Sequence, residues 1–300
     1  MLRASTRPGG ILHPQAAAGQ FVLTRLPPGE ALAPLIERHW SVRWDLRGRP
    51  PHVQETLPHP CVNLVFTGEG ATIHGCPTRR SAVELRGEGR VFGTKFRPGG
   101  FFPLLRRPLS QLTDKSLPLA ALLGAAADEL AAAVLAREDD ADRRGVVEDF
   151  LMKEAGVSAL DPAVAQVIEV VQLALERPSI ARVEDLAQLC QLAPRTLQRL
   201  FRRYVGVGPK WVIRCFRLHE AAERLAAGDA VDGATLAAEL GYFDQAHFIR
   251  DFKALIGSAP SEYAARCAAA SANEARAVRR PQSGAPEQTA KRAREWNIKV

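Results

Sequence analysis

A fragment of this chain occurs twice, and that repeat limits the folds available to its C-terminal third. Leu186-Ala187, then Leu197-Gln198-Arg199-Leu200-Phe201, Gly206 and Pro209 are followed by Leu236-Ala237, then Phe248-Ile249-Arg250-Asp251-Phe252, Gly257 and Pro260. The Arg-x-Phe, Gly and Pro positions return at an offset of 51, and the Leu-Ala pair at 50. Two copies are too few for a solenoid, in which each unit needs neighbours on both sides. Each copy reads as two short amphipathic helices with a tight turn, so the repeat predicts a duplicated helix-turn-helix.

Periodicity within each copy supports this. Leu197, Leu200, Phe201 and Tyr204 fall at i, i+3, i+4 and i+7, the buried stripe of a helix, with Leu186, Ala187 and Cys190 facing it from the helix before. Arg195, Gln198, Arg199, Arg202 and Arg203 occupy the opposite face. In the second copy Phe248 and Phe252 form the stripe, Asp244 is placed as an N-cap, and Gly241 lies in the turn. The first copy has Gln191 at the turn and Ala193-Pro194 in place of a hydroxyl cap. Trp211 to Ala226 predicts one long connecting helix that ends near Gly228.

Over about ninety residues this part of the chain resembles the AraC/XylS regulators. The resemblance rests on Arg195-Thr196-Leu197-Gln198-Arg199-Leu200-Phe201, on Gly241-Tyr242-Phe243-Asp244-Gln245-Ala246-His247-Phe248, and on the closing Gly257-x-x-Pro260-x-x-Tyr263. It implies a sequence-specific transcription regulator whose two recognition helices enter successive major-groove segments of double-stranded DNA. Arg195, Thr196, Gln198 and Arg199 would then face bases from the first, and Gln245, Ala246, His247 and Arg250 from the second. Arg bonds guanine, and Gln adenine, through two hydrogen bonds. Arg202, Arg203 and Lys253, farther along, suit phosphates. Arg250 has Glu239 and the surroundings of Asp251 as competing ion-pair sites.

Charge alone does not make the DNA argument. Of the net +7, residues 178–267 hold 12 Lys/Arg against 10 Asp/Glu, and residues 268–300 hold 7 against 3. The segment 268–300 has almost no large apolar residue before Trp296 and is expected to be a disordered basic tail. A binder driven only by that tail is a rival reading, and it predicts that deleting the tail abolishes binding.

The rest of the chain predicts an α+β protein. Residues 1–112 read as a β-rich sensor domain, 113–160 as a helical segment on it, and 161–267 as the all-α double helix-turn-helix domain. Val62–Phe66, Ala71–Ile73 and Val91–Phe96 are short β-prone runs, with Thr67–Gly70 as a hairpin loop. Helical spacing covers Leu119–Leu123, Ala126–Ala136 and Val146–Leu151, with the acidic run 138–142 as a break, and Pro162–Leu175 after Asp161. Phe92-Gly93-Thr94-Lys95-Phe96-Arg97-Pro98-Gly99-Gly100-Phe101 resembles the N-terminal domain of one group of these regulators. That likeness implies a sensor without naming what it senses, a small-molecule effector or an assembly partner, and the wider family implies a cupin-like barrel. Trp40, Trp44, Phe66, Phe92, Phe96, Phe101 and Phe102 are candidate pocket residues, with ordinary packing as the alternative for each.

His59, Cys61, His74 and Cys76 are the one candidate metal or thiol site. With Phe66 paired to Ala71, residue numbers across the hairpin sum to 137, which sets Cys61 opposite Cys76 beside the two histidines. Pro60 and Pro77 oppose strand geometry there. The spacing is not a standard zinc pattern, so no cofactor is expected and packing is the default. Cys61 and Cys76 are also the candidate nucleophiles of a rival reading, an alkyl-accepting repair protein. No phosphate-cradling glycine loop or catalytic triad is recognisable, so the expectation is a non-enzyme. Without an apolar leader or a run of about 18 uncharged apolar residues, the expectation is a cytoplasmic protein with no membrane partner. RNA polymerase would be a second partner of an activator. Homodimerisation through the N-terminal half stays open, since no coiled-coil seam specifies it.

Overall fold

Residues 19–155, 161–177, 179–228 and 232–278 are described by the computed structural model. Eight strands come first: β1 Val22–Leu26, β2 Ile36–Asp45, β3 His52–Thr56, β4 Asn63–Thr67, β5 Gly70–His74, β6 Ser81–Leu85, β7 Glu88–Phe96 and β8 Ser116–Pro118. Six form one antiparallel sheet in the order β1-β2-β7-β4-β5-β8, and β3 pairs with β6 as a separate ribbon. The nested pairs β2–β7, β3–β6 and β4–β5 match a jelly roll. However, β1 and β8 extend the large sheet and leave the ribbon at two strands. The expected small β-rich domain is therefore a six-stranded sheet with a separate two-stranded ribbon. Because β8 belongs to that sheet, the sheet domain reaches Pro118 and not the expected boundary at 112.

The β4–β5 register is the predicted one. Phe66 pairs with Ala71, and the ladder continues to Thr67 and Gly70, which leaves only Gly68-Glu69 as the loop. Leu64, Phe66, Ile73 and Phe92 alternate into the core. In β2 a register shift between Ile36 and Arg38 changes the spacing of inward residues, so Ile36, His39 and Ser41 are all buried.

Short helix α1 (Phe102–Leu105) and a 3₁₀ turn at Leu109–Gln111 lead from β7 to β8. Then come α2 (Ala120–Leu123), α3 (Ala125–Leu135) and α4 (Asp140–Ala155). Of the acidic run expected as a break, Glu138 and Asp139 lie between α3 and α4, and Asp140 to Asp142 start α4. The Asp139 carboxylate accepts from the backbone N–H of Ala141 at 2.7 Å, and acids suit a helix N-terminus. Helix α4 is tied to the sheet through polar groups. Its Glu148 accepts from Gly29 N–H (2.8 Å) and meets His39 Nε2 (3.0 Å), while Ser41 Oγ donates to Asp140 (2.5 Å).

The remaining helices are α5 (Pro162–Glu176), α6 (Val183–Leu189), α7 (Pro194–Leu200), α8 (Pro209–Ala227), α9 (Gly233–Glu239), α10 (Gln245–Ile256) and α11 (Pro260–Val278). Asp161 caps α5 through Ala163 N–H at 2.9 Å, with Pro162 at its first position. Helix α11 continues to Val278, so residues 268–278 are helical where a disordered tail was expected. The rest of that expected tail, 279–300, lies outside the described residues.

Two main cores result. One runs from the sheet through α3, α4 and α5 into α6, α7 and the first half of α8. The second gathers α9, α10, α11 and the second half of α8, with Leu57 from the sheet domain.

Candidate nucleic-acid interface

Both turns of the repeat have the same hydrogen bonds. In the first unit Cys190 N–H donates to Leu186 O, Gln191 N–H to Gln188 O, and Leu192 N–H to Ala187 O. In the second, Leu240, Gly241 and Tyr242 make the corresponding bonds to Leu236, Ala238 and Ala237. Gln191 thus occupies the glycine position and has its left-handed backbone, φ +54° against +71° at Gly241. After this point the copies differ by one residue. Ala193, at the cap position of α7, directly follows Leu192, whereas Phe243 is inserted before the cap Asp244. This insertion changes the offset from 50 to 51, and Phe243 is 97% exposed.

Equating the two caps aligns the recognition helices residue by residue. Arg195 corresponds to Ala246, Thr196 to His247, Gln198 to Ile249, Arg199 to Arg250 and Arg202 to Lys253. Gln245 is therefore the counterpart of Pro194, and a Cβ on Gly233 would stand 2.7 Å from its amide nitrogen, so it lies back on α9. The stripes are buried as expected, with Leu197, Phe201, Phe248 and Phe252 all at the core. Arg195, Gln198, Arg199, Arg202 and Arg203 are exposed on α7 and its extension, as are Ala246, His247, Arg250 and Lys253 on α10, while Thr196 is half-buried.

The two helices end and begin differently. Helix α10 is capped by the Asp244 carboxylate, which accepts from His247 N–H at 2.6 Å. Helix α7 has no side-chain cap, and its last turn widens into a π-helix, Phe201–Val205, before Gly206.

On α10 the expected competition falls on the histidine. His247 packs edge-on to Tyr242 (5.2 Å between ring centroids), with Nε2 3.6 Å from Asp251. Asp251 also accepts from the Tyr242 hydroxyl and lies 3.7 Å from Arg214, while Glu239 pairs with Arg224 at 2.7 Å. Burial, with Asp251 second, raises the Tyr242 hydroxyl pKa and keeps it a donor. Among the described residues Arg195, Arg199, Arg202, Arg250 and Lys253 have no carboxylate partner. Arg203 lies over the Phe102 ring at 5.3 Å.

Helix α7 borders an open groove lined by Arg195, Arg199, Arg202, Arg203 and Lys210, with Pro108 and Ser110 of the sheet domain on its other side. No acid is among the described lining residues. Lys210 was missed in the sequence. It follows Pro209 at the start of α8, and the repeat draws attention to the Pro instead.

The candidate metal set is not assembled. Cys61 N–H bonds back to His59 O at 2.8 Å in a turn around Pro60, so His59 and Cys61 share no strand face. The β4–β5 ladder stops at Asn63 and His74, and the His74 ring meets Ser116 Oγ at 2.9 Å. Among the described residues no group of three or more His, Cys, Asp or Glu is arranged to hold a metal. His59 instead meets His219 of α8, 4.5 Å between ring centroids, and His219 Nε2 lies 3.5 Å from Cys215 Sγ. Burial lowers the His219 pKa to about 4, with Lys95 adding to the effect. Burial raises the Cys61, Cys76 and Cys215 thiols, the reverse of an activated thiolate.

The aromatic pocket is likewise core: Trp44, Phe66, Phe92, Phe96 and Phe101 are all buried. Trp40 covers Gly93, where a Cβ would come within 2.3 Å of the indole ring. Phe102 packs on Tyr204. A cavity of about 120 Å³ lies elsewhere, between the sheet domain and helices α5 and α8. Its walls include Arg38, Lys95 and Arg97 on one side and Ile168, Val171 and Phe216 on the other.

Comparison with known proteins follows the same division. Residues 186–266 match a family described as a helix-turn-helix domain, and residues 24–118 match a domain of unknown function (DUF6597). YkgA of Escherichia coli (strain K12), described as an HTH-type transcriptional regulator, is 37% identical over 100 residues, 33% of this chain and 40% of that one. The HTH-type transcriptional regulator GlxA of Rhizobium meliloti (strain 1021) is 35% identical over 99 residues, 33% of this chain and 30% of its own. This chain thus spans well under half the length of the curated relatives it matches. Among solved structures, the C-terminal domain of AraT, a response regulator from Geobacillus stearothermophilus, aligns at 25% identity with a TM-score of 0.32. It covers 36% of this chain and 87% of that one.

Proposed function

We propose that this chain, which carries a helix-turn-helix domain of the AraC/XylS type, is a sequence-specific DNA-binding transcription regulator and not an enzyme. The observation that carries this reading is the pair of recognition helices, each buried along one stripe; among the described residues Arg195, Arg199 and Arg202 on the first and Arg250 and Lys253 on the second are exposed without an acidic partner. Arg195, Gln198 and Arg199 read bases from α7, and Arg250 does so from α10. His247 is restrained by Tyr242 and Asp251 and serves more to set the helix surface. Arg202, Arg203, Lys210 and Lys253 hold phosphates, which position the protein without reading sequence. Phe243, exposed beside the first turn of α10, suits an apolar contact such as a thymine methyl.

Raised thiol pKa values argue against the alkyl-acceptor alternative, because a nucleophilic cysteine needs the opposite shift. In this reading an effector occupies the cavity between the sheet domain and α8. Its walls belong to both domains, so occupancy there would bias the pose of the connector.

Selection of binding sites from a random duplex pool by the purified chain tests the main reading. Arg195→Ala and Arg250→Ala should each lose roughly 1–3 kcal/mol on the selected site and relax preference at one base position. A uniform loss on all sequences would make these residues phosphate contacts, and no selected site at all would end the regulator reading.

A further inference from the structure

We propose that the sheet domain contributes to the DNA interface directly, with Arg106 and Arg107 binding the phosphate backbone beside the duplex segment read by α7. This rests on the DNA-binding reading above.

The carrying observation is the close seating of the segment 102–113 against the end of the first recognition helix. Leu109, 2% exposed, packs beside the π-helical turn Phe201–Val205. Thr113 Oγ1 donates to Gly206 O at 2.8 Å, and Phe102 lies under Arg203. A Cβ on Gly206 would come within 3.1 Å of Leu109 O, so the backbones are in close approach. Pro108 and Ser110 consequently form one wall of the cationic groove whose other wall is α7.

Arg106 and Arg107 directly precede Pro108, and both are exposed. Arg106 is fixed at the backbone, its N–H donating to Phe102 O at 2.8 Å, and its Nε donates to Pro103 O at 3.2 Å. Among the described residues neither arginine has a carboxylate partner, and the groove lined by the next residue, Pro108, has no acid.

Cations gathered within a Debye length of about 10 Å repel one another. That cost is offset when a polyanion crosses them. A duplex fits better than a small anion because Arg195, Arg199 and Arg202 come from successive turns of one helix, a span of about 10 Å at 1.5 Å per residue. Arg106 and Arg107 would lengthen this track onto the sheet domain.

The test compares the full chain with an Arg106→Ala/Arg107→Ala double variant on the selected duplex and on a random duplex over a salt series. Each phosphate contact contributes about 0.9 to the slope of log Kobs against log salt. The variant should therefore bind both duplexes more weakly by a similar factor, with a slope shallower by about 1.8. Its urea midpoint should be unchanged, and Arg106→Lys/Arg107→Lys should restore the slope. An unchanged slope, or tighter binding because the segment obstructs the duplex, would overturn the proposal while leaving the regulator reading intact. Absence of duplex binding by the unaltered chain would remove both.

Discussion

Exchanging the turn residues of the two units, Gln191→Gly in the first and Gly241→Ala in the second, isolates the backbone energy of the helix-turn-helix corner. Both positions are left-handed, at φ +54° and +71°. A residue with a Cβ is disfavoured there by roughly 1–2 kcal/mol. Glycine relieves that strain but gives the unfolded chain more freedom, which costs roughly 0.4–1 kcal/mol. Gln191 is exposed, so Gln191→Gly should be a net gain of about 0.5–1 kcal/mol. Gly241→Ala reverses these contributions and adds a crowded contact, since the new Cβ would stand 3.1 Å from Ala181 Cβ. A loss of about 1–1.5 kcal/mol is expected. Urea unfolding with a shared m-value measures both. If Gln191→Gly destabilised the chain, or Gly241→Ala were neutral, the equivalence of the two corners would be wrong.

Other consequences can be checked separately. Asp244→Ala removes the α10 cap and should cost about 1 kcal/mol in urea unfolding, whereas Ala193→Asp should gain less because Pro194 already orders the first turn of α7. Phe243→Ser should leave stability within about 0.5 kcal/mol while weakening binding to the selected duplex; a large stability loss would show that the ring packs on something. His219 gives a pH dependence. Its folded pKa of about 4 is below its ordinary 6.5, so the unfolded state takes up the proton first. Stability should be complete above about pH 6.5 and fall on acidification towards pH 4, by at most about 1.4 kcal/mol per unit for one proton. Lys95, His59 and Cys215 face the same ring, and His219→Gln should flatten the profile; an unchanged profile would assign the acid sensitivity to another group.

Local signals carried much of the C-terminal half. The stripe of Leu197 and Phe201, the Asp244 cap and the glycine-like turn at Gln191 all depend on residues within one helical turn, where spacing determines geometry. The β4–β5 register was legible for the same reason. The metal set failed because a turn around Pro60 broke the alternation on which the extrapolated register relied. His219, which did reach His59, is far along the chain and carries no local mark. Lys210 was hidden similarly, since only the docking of segment 102–113 on Gly206 sets Pro108 and Ser110 across the groove that it lines.

The division of the cores has a consequence for how the chain would meet a duplex. The first unit shares its core with the sheet, whereas the second has its own, held to the sheet domain at Leu57 and where Arg80 lies against Gly257. The first recognition unit is therefore built into the bulk of the protein, and the second is joined to it by the far half of α8 and those contacts. On encounter, α7 would set the address and α10 would have to settle into whatever groove segment that address presents. Helical phase between the two half-sites would then be tolerated or refused by the stiffness of α8 together with the contacts at Leu57 and Arg80.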